Sequence, residues 1–281
     1  MTDKNRNLIV RLTTAFVLLP LVLWLIWQGG LYIAVLLGMA AGGCALELNL
    51  LPASLPKQSS ESAAESARLS GGAIVSVGAA FLLPFLHEIN FVPLELVLSA
   101  VVIVAFTDAL IFEADIPNAP RRVGLAVLGA VYPGLLISAL VPLRQMELGF
   151  WWVLLALTVT WANDTGAYFA GRAFGKHKLY PRISPSKTWE GAAGGSLASV
   201  VGACVVQHLW LHTLSLSGAA LIGAGAAVLG PLGDLSESML KRAFGAKDSG
   251  RLLPGHGGML DRLDALLFNA PFVLLCAKLL A

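Results

Sequence analysis

Polar residues in this chain come in blocks, and long apolar runs separate the blocks. A helix needs roughly 20 apolar residues to cross the hydrocarbon core of a bilayer. Nine runs of about that length predict spanning helices, at residues 8–28, 31–50, 71–88, 93–112, 122–142, 149–171, 191–211, 216–240 and 259–281. The third is the shortest and contains Pro84. Residues 51–70, LPASLPKQSSESAAESARLS, form a Ser/Ala/Glu-rich linker that reads as a solvated loop or a surface helix. The fold class expected is all-α: a polytopic integral membrane helical bundle with about nine transmembrane helices. Residues 1–150 supply about five N-terminal spans, and 151–281 supply about four spans carrying the main polar loops. The two parts make one integral membrane unit.

Composition agrees with the pattern. The chain is 57% hydrophobic and 13% charged, whereas a soluble domain is roughly 45–50% apolar and about 25% charged. A net charge of +2 is too small to argue for a nucleic-acid partner. Cys44, Cys204 and Cys276 sit in apolar runs, without disulfide or metal-site spacing, and read as packing residues. The basic start and long apolar run of MTDKNRNLIVRLTTAFVLLPLVLWLIWQ resemble a signal peptide. The run exceeds a typical signal core and lacks a clear small-x-small cleavage site, so an uncleaved first span is expected.

Charge then orients the spans. With a cytoplasmic N-terminus, all of the nineteen Lys and Arg residues except Arg144 and Lys278 fall on inside segments. Such an asymmetry is what the positive-inside rule demands. The same topology puts the polar segments 161–190 and 234–264 on one face of the membrane.

Acids within spans are the informative residues, because a charge at the centre of a spanning helix costs about 2.5–3.5 kcal/mol on insertion scales. Asp164 lies in VTWANDTGAYFAGRAFGK, Asp234 and Glu237 lie in LGPLGDLSESMLKR, and Asp261 and Asp264 open the last span. Asp261 and Asp264 are three apart, so one helix face presents both, and the helix N-terminal dipole favours them. Asp234 and Glu237 have the same spacing. Oxygen ligands of this kind suit Mg²⁺, which takes one or two carboxylates plus substrate phosphates. The alternative is a juxtamembrane ion-pair cluster.

Lys241, Arg242, Lys247 and Arg251 add positive charge nearby, and PGHGG at 254–258 offers backbone that can approach an anion closely. His256 could donate to a phosphate or cap the following helix. Residues 175–191, GKHKLYPRISPSKTWEG, present Ser184, Ser186, Lys187 and Thr188 in a Pro-stiffened loop, or else form an ordinary turn and cap before Glu190. These features together suggest a cytoplasm-facing metal–phosphate site. Phosphoryl or nucleotidyl transfer to a lipid, or anion transport, would use it.

Residues 238–264, SMLKRAFGAKDSGRLLPGHGGMLDRLD, carry a specific resemblance. They are similar to the signature of the phosphatidate cytidylyltransferase (CDP-diacylglycerol synthase) family: S-x-hydrophobic-K-R, four residues, K-D, then P-x-H-G-G and D-R-x-D. The segments NDTGAYFAGRAFGKHKL and ISPSKTWEG also resemble the family, with Ser186 standing where many members carry Lys. Residues 150–281 match clearly and the N-terminal half only as apolar spans.

The resemblance implies transfer of CMP from CTP to phosphatidate, with release of pyrophosphate, in phospholipid biosynthesis. It makes Asp234, Asp261 and Asp264 the metal candidates. Lys241 and Lys247 join those three as catalytic candidates. Asp164, Ser184, Lys187, Thr188, Arg242 and His256 become candidates for substrate contact. Mg²⁺ is the implied cofactor, with room for a second cation. The implied setting is a bacterial cytoplasmic (inner) membrane with the site facing the cytoplasm, in a chain that can form a homodimer. The competing activity is that of a CTP-dependent lipid-alcohol kinase of polyprenol or phytol type, which would release CDP.

Overall fold

The computed structural model describes residues 16, 18–51, 71–89, 92–113, 115–253 and 257–280. Helices dominate them. In chain order they are α1 (Leu18–Gln28), α2 (Gly30–Leu50), α3 (Gly71–Ile89), α4 (Leu94–Phe112), α5 (Ile116–Gln145), α6 (Gly149–Phe174), α7 (Trp189–Trp210), α8 (Leu216–Ala243) and α9 (Leu260–Leu280).

Among the described residues, seven of these helices are long and apolar enough to cross a membrane: α2, α3, α4, α5, α7, α8 and α9. The expectation was nine. Only the second half of the first expected span is described, as the short apolar helix α1. The sixth forms as the 26-residue helix α6. Its last three turns contain Asn163, Asp164 and Arg172, so it is too polar to qualify by composition. The segment 51–70 lies largely outside the described residues, which resume at Gly71.

Proline is tolerated within these helices because neighbouring helices and local widening satisfy the freed carbonyls. Pro84, Pro231 and Pro271 sit inside α3, α8 and α9. Pro133 lies in a π-helical turn, Val131–Leu135, in the middle of α5. Gly29 and Gly30 have φ of 67° and 53°, and this left-handed pair lets the chain turn between α1 and α2.

The chain forms two compact units. The first joins Met1–Val141 to Ala243–Arg262, and the second joins Pro142–Arg242 to Leu263–Ala281. In the first, α2 packs against α3 and α5 around the buried side chains Ile33, Leu48, Leu83 and Ile137. Arg122 Nε donates to Asp108 Oδ2 at 2.8 Å in this unit.

The second unit is built on small residues. A methyl added to Gly166 of α6 would stand 2.6 Å from Ala198 Cβ and 2.7 Å from the Gly194 carbonyl oxygen of α7. Gly223 of α8 sits as tightly against Val200 of α7, where Ser199 Oγ donates to the Gly223 carbonyl at 2.9 Å. Gly233 of α8 lies against the Asp264 backbone and Phe268 of α9. Without a hydrophobic driving force between helices in lipid, such close backbone approach supplies the packing that holds a bundle.

Residues 178–188 depart from an all-helical expectation. They fold as an antiparallel hairpin of β1 (Lys178–Tyr180) and β2 (Ser184–Thr188), with Lys178 opposite Thr188 and Tyr180 opposite Ser184. Pro181 and Pro185 disfavour helix there, because each lacks an N–H and restricts the residue before it.

Candidate active site

Four charged residues of the second unit converge from four elements. Asp164 comes from α6, Lys187 from β2, Asp234 from α8 and Asp264 from α9. Lys187 Nζ is 2.6 Å from Asp234 Oδ2. The three carboxylates and Lys187 lie close enough to interact electrostatically. The glycine contacts explain the convergence. Gly166 follows Asp164 by two residues, and Gly233 adjoins Asp234 while touching the Asp264 backbone.

A polar layer lies in the same unit, beside Asp164 on α6 and about one turn from Asp234 and Asp264 on α8 and α9. Asn163 and Asn269 are buried, and Gly230 lies between their side-chain amides. Asn269 Nδ2 donates to Thr160 Oγ1 at 2.9 Å, and Thr160 Oγ1 donates to the Ala156 carbonyl at 2.8 Å. Reading the sequence for charge alone passed over these amides.

Lys187 is aimed by the hairpin. Glu190, at the start of α7, accepts from the Lys176 and His177 backbone N–H groups and pairs with His177 Nδ1 at 2.6 Å. Trp189 N donates to the His177 carbonyl at 2.9 Å. Thr188 is the N-cap of α7, where its Oγ1 accepts from Gly191 N at 3.1 Å. Thr188 thus has a local structural bond, while Ser184 sits half-buried at the start of β2.

Other expected residues have different surroundings. Lys241 is buried with its Nζ 2.6 Å from Glu237 Oε2, one turn earlier on α8, and Glu237 is 1% exposed. Removing one partner of a buried pair costs about 3–5 kcal/mol. The structure therefore gives Lys241 a partner within its own helix rather than an open phosphate site. The Lys187–Asp234 pair is only half-buried, so water partly screens it and its lysine can be redirected to a ligand more cheaply than Lys241. Ser238 Oγ donates to Asp234 Oδ1 at 3.4 Å, and Arg242 is exposed at the end of α8.

The remaining signature residues belong to the first unit. Lys247 and Asp248 are exposed, and Ser249 is buried. Arg121 of α5 stacks over Phe244, 5.4 Å from the ring centroid. Asp261 Oδ2 accepts from Ser249 N at 3.1 Å, Ser249 Oγ at 2.9 Å and Gly258 N at 3.1 Å. Leu253 N donates to the Gly257 carbonyl at 3.0 Å, and Gly257 has φ 86°, a conformation that favours glycine. His256 lies outside the described residues.

Glu47 of α2 also joins this loop. It is 3% exposed, and its carboxylate accepts from Leu260 N, Leu252 N and Ser249 Oγ. Sequence reasoning missed it. The signal was available, since an acid inside an apolar run is a functional candidate by default.

Mg²⁺ is the cation that these donors would have to fit. Among the described residues, no three acidic, His or Cys side chains form a ready-made ligand group. Asp164, Asp234 and Asp264 nonetheless outnumber the single Lys187, so negative charge is in surplus. All the donors are oxygens. This fits a hard cation that takes one or two carboxylates and completes its shell with water and phosphates.

Comparison with known proteins follows the same lines. The cytidylyltransferase family model matches residues 9–280. A phosphatidate cytidylyltransferase of Brucella suis is 36% identical over 276 residues, 98% of this chain and 95% of that protein. One from Bacillus subtilis is 43% identical over 153 residues, 54% of this chain and 57% of that protein. One from Haemophilus influenzae is 45% identical over 128 residues, 44% of each.

Proposed function

Because this chain belongs to the cytidylyltransferase family, we propose that it transfers CMP from CTP to phosphatidate, giving CDP-diacylglycerol and pyrophosphate. The observation that carries the reading is the meeting of Asp164, Asp234 and Asp264 with Lys187 in a bundle of membrane-type helices.

The chemistry needs no nucleophilic side chain. A phosphate monoester has its second pKa near 6, so it is largely dianionic at neutral pH. One of its oxygens attacks the α-phosphorus of CTP. That P–O bond forms as the bond from the α-phosphorus to the bridging oxygen breaks, and the electron pair leaves with pyrophosphate. Little general-base help is required. The obstacle is bringing two polyanions together, so catalysis rests on charge neutralisation and in-line alignment.

Asp234 and Asp264 are the residues that would hold Mg²⁺, with Asp164 beside them. When bound, Mg²⁺ supplies charge neutralisation to the phosphates. Lys187 moves from Asp234 to a phosphate oxygen as the substrates enter. Arg242 and Lys247, both exposed, together with His256 and Ser184, contact phosphate or nucleotide. Asp261, the third ligand expected from the resemblance, already accepts three hydrogen bonds through one oxygen and is assigned to holding its loop.

The lipid tails remain in the bilayer while the headgroup reaches the site. The Lys and Arg distribution supports a cytoplasmic N-terminus and a cytoplasm-facing site in a bacterial inner membrane. The chain can pair as a homodimer there.

The test is one assay. Purified protein in detergent is given CTP and phosphatidate with and without Mg²⁺. Mg²⁺-dependent formation of CDP-diacylglycerol and pyrophosphate is expected. Release of CDP with a phosphorylated lipid would make it a lipid kinase instead. Cysteine-accessibility labelling of the 178–188 hairpin in intact cells checks the orientation.

A further inference from the structure

Glu47 lies near the C-terminal end of α2, more than two hundred residues before the partners its carboxylate meets. Leu260 N donates to Glu47 Oε2 at 2.9 Å, Ser249 Oγ is 3.1 Å from the same oxygen, and Leu252 N donates to Oε1 at 3.4 Å. Both oxygens are engaged, and all three donors belong to the signature segment. Leu260 is the first residue of α9, so Glu47 satisfies one of the orphan N–H groups that a helix start leaves open.

The surroundings are shaped to this carboxylate. A methyl on Gly250 would stand 2.6 Å from Glu47 Cδ. One on Gly258 would stand 2.7 Å from Asp261 Oδ2 and 2.8 Å from Glu47 Oε2. The Ser249 hydroxyl has a single proton and lies within hydrogen-bond distance of both carboxylates. Glu47 and Asp261 therefore clamp the same serine, one from a distant helix and one from the adjoining helix start. The clamped residues directly follow Lys247 and Asp248 in the chain.

We infer that Glu47 is a positioning residue for cytidylyl transfer: it fixes Ser249, Leu252 and Leu260, and so holds the adjoining Lys247 ready for the nucleotide. This rests on the reading that Lys247 contacts CTP. Glutamine at 47 keeps the size but turns one acceptor into an NH₂ group facing N–H or O–H donors. An acid kept only for bulk would tolerate that change.

The experiment compares wild type, Glu47→Gln and Gly258→Ala, the last crowding Ser249, Asp261 and the Glu47 carboxylate while leaving residue 47 itself a glutamate. Monodispersity by size-exclusion chromatography sets the folded fraction. Hydrogen–deuterium exchange follows residues 249–253 and 257–260, and steady-state kinetics vary CTP and phosphatidate separately. Both variants are expected to speed exchange across this segment about tenfold, from loss of buried charge-assisted hydrogen bonds. Both are expected to raise KM for CTP about tenfold while KM for phosphatidate stays put. Unaltered exchange in Glu47→Gln overturns the inference. So does a fall in kcat with KM for CTP unchanged, which is the mark of a merely structural loss. Lys247→Ala serves as a separate arm. If it leaves KM for CTP unchanged, the nucleotide reading of Lys247 falls, and the assignment of Glu47 falls with it, whatever the exchange data give.

Discussion

Asp261 and Asp264 stand three residues apart at the start of α9, yet the two regions they serve are built differently. The Asp261 carboxylate sits among backbone N–H groups and a serine hydroxyl, beside a second buried acid, Glu47. The Asp264 carboxylate accepts from one backbone N–H, that of Ala265 at 2.7 Å, and otherwise sits among charges: Asp164, Asp234 and Lys187. An acid surrounded by backbone N–H and hydroxyl donors holds chain in place. An acid grouped with like charges, against one lysine, gains most from a bound cation or an incoming phosphate–metal complex. The same residue type has two uses, and the neighbours decide which.

That contrast can be broken most directly by amide substitution at each position. Asp264→Asn is expected to reduce CDP-diacylglycerol formation at least about 100-fold, the scale of losing one key electrostatic group. It should also raise the Mg²⁺ concentration needed for half-maximal rate. Asp261→Asn is expected to lower turnover while leaving that Mg²⁺ dependence unchanged. A shift in Mg²⁺ dependence for Asp261→Asn would return it to the ligand set.

Geometry gives the next largest effect. Gly233→Ala puts a methyl against the Asp264 backbone and 3.1 Å from Phe268, forcing α8 and α9 apart. A displacement near 1 Å can cost about 10²-fold, so a loss of about 10–100-fold is expected. A rate within twofold of wild type would show that the acid cluster does not depend on this contact.

Lys187→Ala should act mainly on binding, raising KM for CTP about tenfold, because it removes one phosphate-directed charge from a half-exposed position. A purely catalytic effect, with KM unchanged, would instead place Lys187 on the transition state alone. The smallest effect is expected from Thr188→Ala. It removes the N-cap of α7 and should lower stability by about 1 kcal/mol, or about 2–4 °C in Tm by thermal scanning.

Much of the bundle was legible beforehand because lipid imposes a length and a composition on every crossing helix. The ends of α2, α3 and α4 fall within a few residues of the expected spans. The count was less secure where function intrudes on composition, as in α6, whose Asn163 and Asp164 make it less apolar than its neighbours. The hairpin at 178–188 was legible only as a stiff polar loop, since Pro residues mark irregular backbone without naming its shape.

The sequence by itself determined the class of the molecule and its chemical inventory. Acids within spans, the polar 175–191 loop and a dense signature were enough to single out Asp164, Lys187, Asp234 and Asp264 among the candidates; that these four lie close together is a fact of the fold. Only the tertiary structure decided how the charges are partnered. It gave Lys241 to Glu237, Asp261 to Ser249 and Gly258, and the amides of the signature loop to Glu47. The physical reason is that a charge acts over a few ångströms in space. Helix spacing forecasts a neighbour one turn away, but a glutamate two hundred residues upstream becomes a neighbour only when the helices pack.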